Sequence, residues 1–175
     1  MSSLHMPRPK HISQGEYATG GADSTSIATI LGSCVATCMY DEVAQVGGMN
    51  HFLLPDSSGG LAHTASFGVN AMELLINDLV KMGARRDRLK AKVFGGGRMI
   101  AGLSDVGQKN GAFILDFLSK EGIPCVGQSL GGTQARRVEF WPSTGRARQK
   151  LLGEAQLPEE VRPPPKPIAN DVELF

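Results

Sequence analysis

The chain lacks several things, and each absence narrows what it can be. Its opening residues, MSSLHMPRPK, hold no apolar stretch of the kind that directs export, and no uncharged apolar run is long enough to span a bilayer. A cytoplasmic address without membrane insertion is expected. Neither sign of charge is in excess: 18 Lys and Arg against 17 Asp and Glu leave a formal net charge of +1. No global field draws such a chain to nucleic acid or to an anionic membrane. Cysteine is scarce and odd in number, with Cys34, Cys38 and Cys125 only, which argues against a disulfide framework in a chain without an export signal. Were CVATCMY a strand, the Cys34 and Cys38 α-carbons would lie roughly 13 Å apart, about twice the reach of a disulfide. The same spacing keeps their sulfurs from sharing a tetrahedral zinc ion with His51 and His63, because Zn–S bonds are only about 2.3 Å long. No metal is expected. The glycine-rich stretches GGGRMIAG and GGTQARR each follow a strand-like run, but neither has the full G-x-G-x-x-G pattern or the Lys-Ser/Thr of a phosphate loop. They are expected to be tight turns flanking a site.

What is present fits one ordinary domain. Hydrophobic residues are 41% and charged residues 20% of 175, enough to bury a core without staples. Composition shifts at both ends. Residues 1–13 carry Pro7, Arg8, Pro9 and Lys10 and little apolar content, and are expected to form a loose arm. Residues 154–175 include the run PPPKP and are expected to be an extended, solvated tail, so that truncation after Glu159 leaves the melting temperature nearly unchanged. The folded domain is then 14–153, without internal repeats.

Within it, STSIATIL, CVATCMY, VGGMNHFLLP, LKAKVFG and IPCVGQS are short, rich in Val, Ile and Phe, and bounded by turn residues, as strands are. From Thr64 to Met82, Phe67, Ala71, Leu74, Leu75, Leu79 and Met82 recur at spacings of three and four, which predicts a helix closed by Gly83. A second helix fits Val106 to Lys120, with Phe113, Ile114, Phe117 and Leu118 on one face and Gly122 beyond its end. RRVEFWPSTGRARQKLL reads as a hairpin. Strands in adjacent pairs followed by interspersed helices favour an α+β class: a layered mixed β-sheet with two main helices.

Two residues invite chemistry. Cys34 follows Gly32 and Ser33, which permit a tight turn and expose amides as an oxyanion site requires. His51 follows Gly47 and Gly48, which permit close backbone approach. A hairpin turning about Asp41 to Gln45 would bring the two within a few rungs, where an imidazole can take a thiol's proton. Taken singly, each residue reads as core, since free cysteine is among the most buried residue types. Cys38 and Cys125 lack such a setting and read as core outright.

The stretch LGSCVATCMYDEVAQVGGMNHFLLPDS, with GEYA, FGVNAMELLINDLVKMGA, KVFGGGRM and GGTQARRVEFWPSTGR in the same order, closely resembles the chemoreceptor glutamine deamidases, the CheD family. The resemblance spans residues 14 to 152. It implies hydrolysis of glutamine side chains to glutamate and ammonia in methyl-accepting chemotaxis receptors, with no cofactor, on a layered fold resembling bacterial toxin deamidases. It assigns Cys34 as nucleophile and His51 as base, with a threonine before the cysteine orienting the histidine. Thr29 is the nearest match to that threonine, with Thr25 and Ser26 open. Gly32 and Ser33 would meet the substrate carbonyl. Some members cleave receptor methyl esters. Others bind and stimulate a CheC-type chemotaxis phosphatase, so a regulatory binding protein is the alternative to an amidase, and a generic thiol hydrolase of small amides is a third reading. A monomer is expected. Two expectations follow for the chemistry. Cys34 and His51 form a thiolate–imidazolium couple that makes Cys34 the one fast-alkylating thiol, and Arg136, Arg137, Arg146, Arg148 and Lys150 form a basic face toward glutamate-rich receptor helices.

Overall fold

The computed structural model describes residues 7–55, 57–99, 105–153 and 172–175. Its strands in chain order are β1 (Lys10–His11), β2 (Tyr17–Gly20), β3 (Ile27–Leu31), β4 (Val35–Asp41), β5 (Val46–Phe52), β6 (Lys90–Gly95), β7 (Cys125–Leu130), β8 (Arg136–Trp141), β9 (Arg146–Leu151) and β10 (Val172–Leu174). Two long helices, α1 (Leu61–Lys81) and α2 (Val106–Glu121), flank β6 in sequence. The class is α+β, as expected, but the strands divide into two sheets. One runs β1-β3-β8-β9-β10 and the other β2-β5-β4-β6-β7. Both are mixed, because β1 pairs with β3 and β6 with β7 in parallel while the other pairs are antiparallel.

The layering follows from β4, whose seven residues are all buried. A strand covered on both faces loses the polar alternation of a half-exposed one. Ala36, Cys38 and Tyr40 join Leu31, Met49, Phe94, Val138 and Phe140 in the core between the sheets, whereas Val35 and Met39 join Phe52, Met72, Leu75, Ile114 and Phe117 beneath the helices. The order is therefore sheet, sheet, helices.

The helix faces show how far periodicity carries. For α2, Ile114, Phe117 and Leu118 are buried as expected, and Gly122 ends the helix with φ of 69°, a left-handed conformation that glycine adopts at little cost. For α1 the expected stripe is rotated. Gly68, Met72, Leu75, Ile76 and Leu79 are buried, while Phe67, Leu74 and Met82 are 44%, 45% and 40% exposed. The cause is Gly68: a Cβ there would stand 2.4 Å from Phe113 Cζ, so α2 packs against the bare backbone and sets the face.

Three more expectations change. Cys125 is exposed, not core, because β7 lies at a sheet edge that its apolar composition does not reveal. The amino-terminal segment docks from Lys10 onward: Lys10 and His11 pair with Ile27 and Ala28, and Ile12 is only 5% exposed. Residues 154–171 of the expected tail lie outside the described residues, but its end is not solvated chain. Val172, Glu173 and Leu174 pair with Lys150, Gln149 and Arg148. Phe175 exchanges backbone hydrogen bonds with Ala147, its oxygen accepts from Lys92 Nζ at 2.8 Å, and its ring meets Phe94 edge-on at 5.2 Å between centroids. Truncation after Glu159 is therefore expected to destabilise the protein by about 2 kcal/mol, lowering the melting temperature by about 4–8 °C for a chain of this size. A thermal melt of the truncated protein checks this; an unchanged midpoint would show that the docked strand contributes nothing.

Candidate active site

The β4–β5 hairpin pairs Ala36 with His51 and Asp41 with Val46, so the turn falls where the sequence places it. Ala36 belongs to the inter-sheet core, and Cys34, two residues earlier, packs against that same core. His51 is buried on the same face, at the edge of the gap between the sheets. The two residues thus come to one end of the inter-sheet layer, with no ladder position between them but Val35 and Phe52.

His51 is held on three sides. Its backbone N–H donates to the Glu16 carbonyl at 3.1 Å, and its carbonyl accepts from Gly15 N–H at 2.7 Å. Its Nδ1 lies 2.6 Å from Thr29 Oγ1, across the gap on β3. Thr29 Oγ1 also lies 2.7 Å from the Ile12 carbonyl oxygen. A hydroxyl has one proton, and a carbonyl can only accept. The proton therefore goes to Ile12, and Thr29 accepts from Nδ1–H. This fixes the neutral imidazole as the Nδ1–H tautomer, with the lone pair on Nε2. Of the three hydroxyls that the sequence leaves open, Thr29 is the one that touches His51. Ser26 Oγ donates to Glu139 Oε2 at 2.5 Å, and Thr25 Oγ1 donates to the Ser26 carbonyl.

The loop of Gly32, Ser33 and Cys34 is anchored by its carbonyls. Gly97 N–H donates to Gly32, Asn110 Nδ2 to Ser33 and Gly96 N–H to Cys34, each at 2.9 Å. Among the described residues, the amides of Ser33 and Cys34 carry no hydrogen bond to another residue, which leaves two donors at the thiol. The glycines of GGGRM are what let the anchors approach. A Cβ on Gly95, whose φ is 107°, would stand 2.2 Å from the Cys34 carbonyl oxygen. They form a turn against the site, as expected. Gly47 and Gly48 serve other contacts, with Pro142 and with Ala18 and Leu75. Their close approaches lie toward the hairpin turn, away from Cys34, because β5 carries His51 at its opposite end.

Asn110 was not legible as a site residue. It is fully buried on α2, and its carboxamide donates to the Ser33 carbonyl and accepts from Leu54 N–H at 3.0 Å. One side chain thereby ties the cysteine loop to the segment that leaves β5. The available signal was an asparagine one helical turn before Ile114, on a face that is otherwise apolar.

The Cys34 thiol is half-buried, and burial raises its pKa against a smaller lowering by its own backbone amide. Burial lowers the pKa of His51, opposed by nearby Glu16. Both directions favour the uncharged forms. Burial thus favours a resting thiol and imidazole over the expected ion pair. Cys38 is fully buried, and burial pushes its thiol far above the ordinary range.

A cleft of about 570 Å³ borders the anchors, lined by Gly96, Gly97, Asp105, Gly107, Leu130 and Thr133 among others. Cys34, His51 and Thr29 do not line it. The basic face is smaller than the charges suggest. Arg136 is 3% exposed and spends its guanidinium on the carbonyls of Ser129 and Gly131, while Arg148 pairs with Glu139 at 2.7 Å. Arg137, which also reaches Glu139 at 3.9 Å, lies with Arg146 and Lys150 on the outer face of β8 and β9.

The fold and the site together define a layered α+β protein with a thiol, an imidazole and a hydroxyl gathered where two sheets meet. Comparison places it further. A family described as CheD chemotactic sensory transduction matches residues 53–151, more than half of the chain, and the chain belongs to this family. It is similar along its whole length to the probable chemoreceptor glutamine deamidase CheD of Caulobacter vibrioides (strain NA1000 / CB15N), with 50% identity covering 100% of both chains. The probable chemoreceptor glutamine deamidases CheD of Agrobacterium fabrum and Rhizobium rhizogenes are 52% and 54% identical, covering 94% and 96% of this chain and 95% and 96% of theirs. Among solved structures, the hypothetical protein YfiH of Bacillus licheniformis aligns over 72% of this chain and 60% of its own with a TM-score of 0.44 and 14% identity. Among the described residues, no helix is long and apolar enough to cross a membrane.

Proposed function

We propose that this protein hydrolyses glutamine side chains of chemoreceptors to glutamate and ammonia, with Cys34 as nucleophile, His51 as base and Thr29 as the residue that orients the base. The names of the full-length relatives support the substrate. The observation that carries the mechanism is the single Thr29 proton, committed to Ile12, which leaves Nε2 of His51 as the proton acceptor. Cys34 Sγ attacks the glutamine δ-carbon as its proton passes to Nε2. The oxyanion is met by the Ser33 and Cys34 amides. Imidazolium then protonates the departing nitrogen, ammonia leaves, and a thioester remains. Water deprotonated by His51 attacks the thioester, and Cys34 regains its proton. Mass spectrometry of a purified chemoreceptor cytoplasmic fragment, before and after incubation, tests the reading: glutamine-to-glutamate conversion is expected, and no conversion by the wild-type protein would sink it.

The pKa directions give a pH dependence. His51 must be neutral to accept the proton, and its lowered pKa keeps it neutral below the ordinary imidazole value of about 6.5. Activity is lost only as pH falls through that lowered value. Alkylation of Cys34 in the resting protein needs thiolate, and its raised pKa moves that rise to higher pH than for a free thiol. Deamidation should therefore persist to lower pH than an ordinary imidazole base allows, while alkylation rises only at higher pH than for a free thiol. A deamidation profile that falls off above pH 7 on its acid side would contradict the His51 assignment.

A further inference from the structure

Gln14 has no part in the mechanism above, yet its side-chain oxygen lies 3.7 Å from Cys34 Sγ. Its placement is built by the segment around it. Ile12 N–H donates to the Ala28 carbonyl at 3.0 Å, and the Ile12 carbonyl accepts from Thr29. Ser13 N–H donates to Glu16 Oε1 at 2.7 Å, Glu16 N–H to the Ser13 carbonyl, and Gly15 N–H to His51. Gly15 has φ of 87°, so the chain turns sharply there. The turn that grips the base on one side and the hydroxyl on the other therefore carries Gln14 at its apex, over the nucleophile.

We propose that Gln14 is a further catalytic residue, whose carboxamide N–H joins the Ser33 and Cys34 amides in stabilising the oxyanion. A carboxamide carries an acceptor and two donors on one carbon, and half a turn about Cγ–Cδ exchanges them. At rest the thiol is protonated, and S–H donates to Oε1. Once that proton has gone to His51, an oxygen facing the electron-rich sulfur is repelled, and the rotated amide offers Nε2–H to the charge instead. Gln14 is exposed, so nothing buried has to move. The plainer reading is an exposed turn residue that grazes a sulfur, and it predicts no kinetic effect.

The inference rests on the amidase reading, and the test separates the two. In a Cys125→Ser background, deamidation of a chemoreceptor cytoplasmic fragment and alkylation of Cys34 by iodoacetamide are measured for wild type, Gln14→Ala, Gln14→Glu and Cys34→Ala. Alkylation displaces iodide from saturated carbon and forms no oxyanion. Gln14→Ala is expected to lower kcat by about 10²-fold, with KM and the alkylation rate little changed. Gln14→Glu should be no better, since a carboxylate of the same shape only accepts. An unchanged kcat in Gln14→Ala, or a parallel fall in kcat and alkylation, would overturn the oxyanion role. If wild type and Cys34→Ala convert glutamine equally, the amidase reading itself fails.

Discussion

Cys34→Ala is expected to abolish conversion of receptor glutamine to glutamate and to leave the fold intact. The loss is complete because the thioester has no other nucleophile. The fold survives because the loop is held by its carbonyls, through Gly96, Gly97 and Asn110, and none of those bonds involves the sulfur. His51→Ala should abolish activity too, while leaving the alkylation of Cys34 little changed, since burial already favours the protonated thiol at rest. Labelling has to allow for Cys125, which is exposed: two of the three thiols should react in the wild type, one in Cys125→Ser, and Cys38 in neither. Thermal melts and mass spectrometry read all of this. A Cys34→Ala protein that still produces glutamate would return both residues to a packing role.

Thr29→Val should reduce kcat by about 10²-fold with little change in KM. The substitution keeps the volume and removes the hydroxyl, so the Ile12 carbonyl and His51 Nδ1 both lose their partner. Nothing then selects the Nδ1–H tautomer, and part of the population places its proton on Nε2, where it blocks the attack. In serine proteases the corresponding loss of tautomer control costs about 10⁴-fold. The effect here should be smaller, because a neutral hydroxyl does not stabilise imidazolium as a carboxylate does. Leaving two buried polar groups unpaired should also cost about 1–3 kcal/mol of stability. Thr29→Ser restores the hydroxyl and should recover most of kcat, which separates orientation from packing. Equal activity in Thr29→Val and wild type, or a Thr29→Ser protein as poor as Thr29→Val, would remove Thr29 from the mechanism.

Much of this was legible in the chain. Local rules placed the β4–β5 hairpin, the β8–β9 hairpin, both helices and the glycines that close them, because turn chemistry and a period of 3.6 or 2 depend on neighbours a few residues away. Cys34 and His51 stood out through the residues directly before them and through the resemblance those motifs carry, although Gly47 and Gly48 turned out to serve Pro142 and Ala18 instead. The errors have a common cause. Cys125 looked buried, Phe67 and Leu74 looked like core, and Phe175 looked solvated, since composition reports that a segment is apolar but not which element covers it.

By itself, then, the sequence determined the elements and the α+β class, and singled out the two side chains proposed to react. Only the tertiary structure decided their working state. Thr29 becomes the partner of His51 because β3 and β5, in different sheets, face one another at that point. Its proton is committed because residue 12, expected in a loose arm, docks beside β3. Burial against the packed layers favours the neutral thiol and the neutral imidazole. Each of these turns on contacts between segments far apart in the chain, which no local pattern encodes: the packing of two sheets sets distances, and distances set where a proton rests.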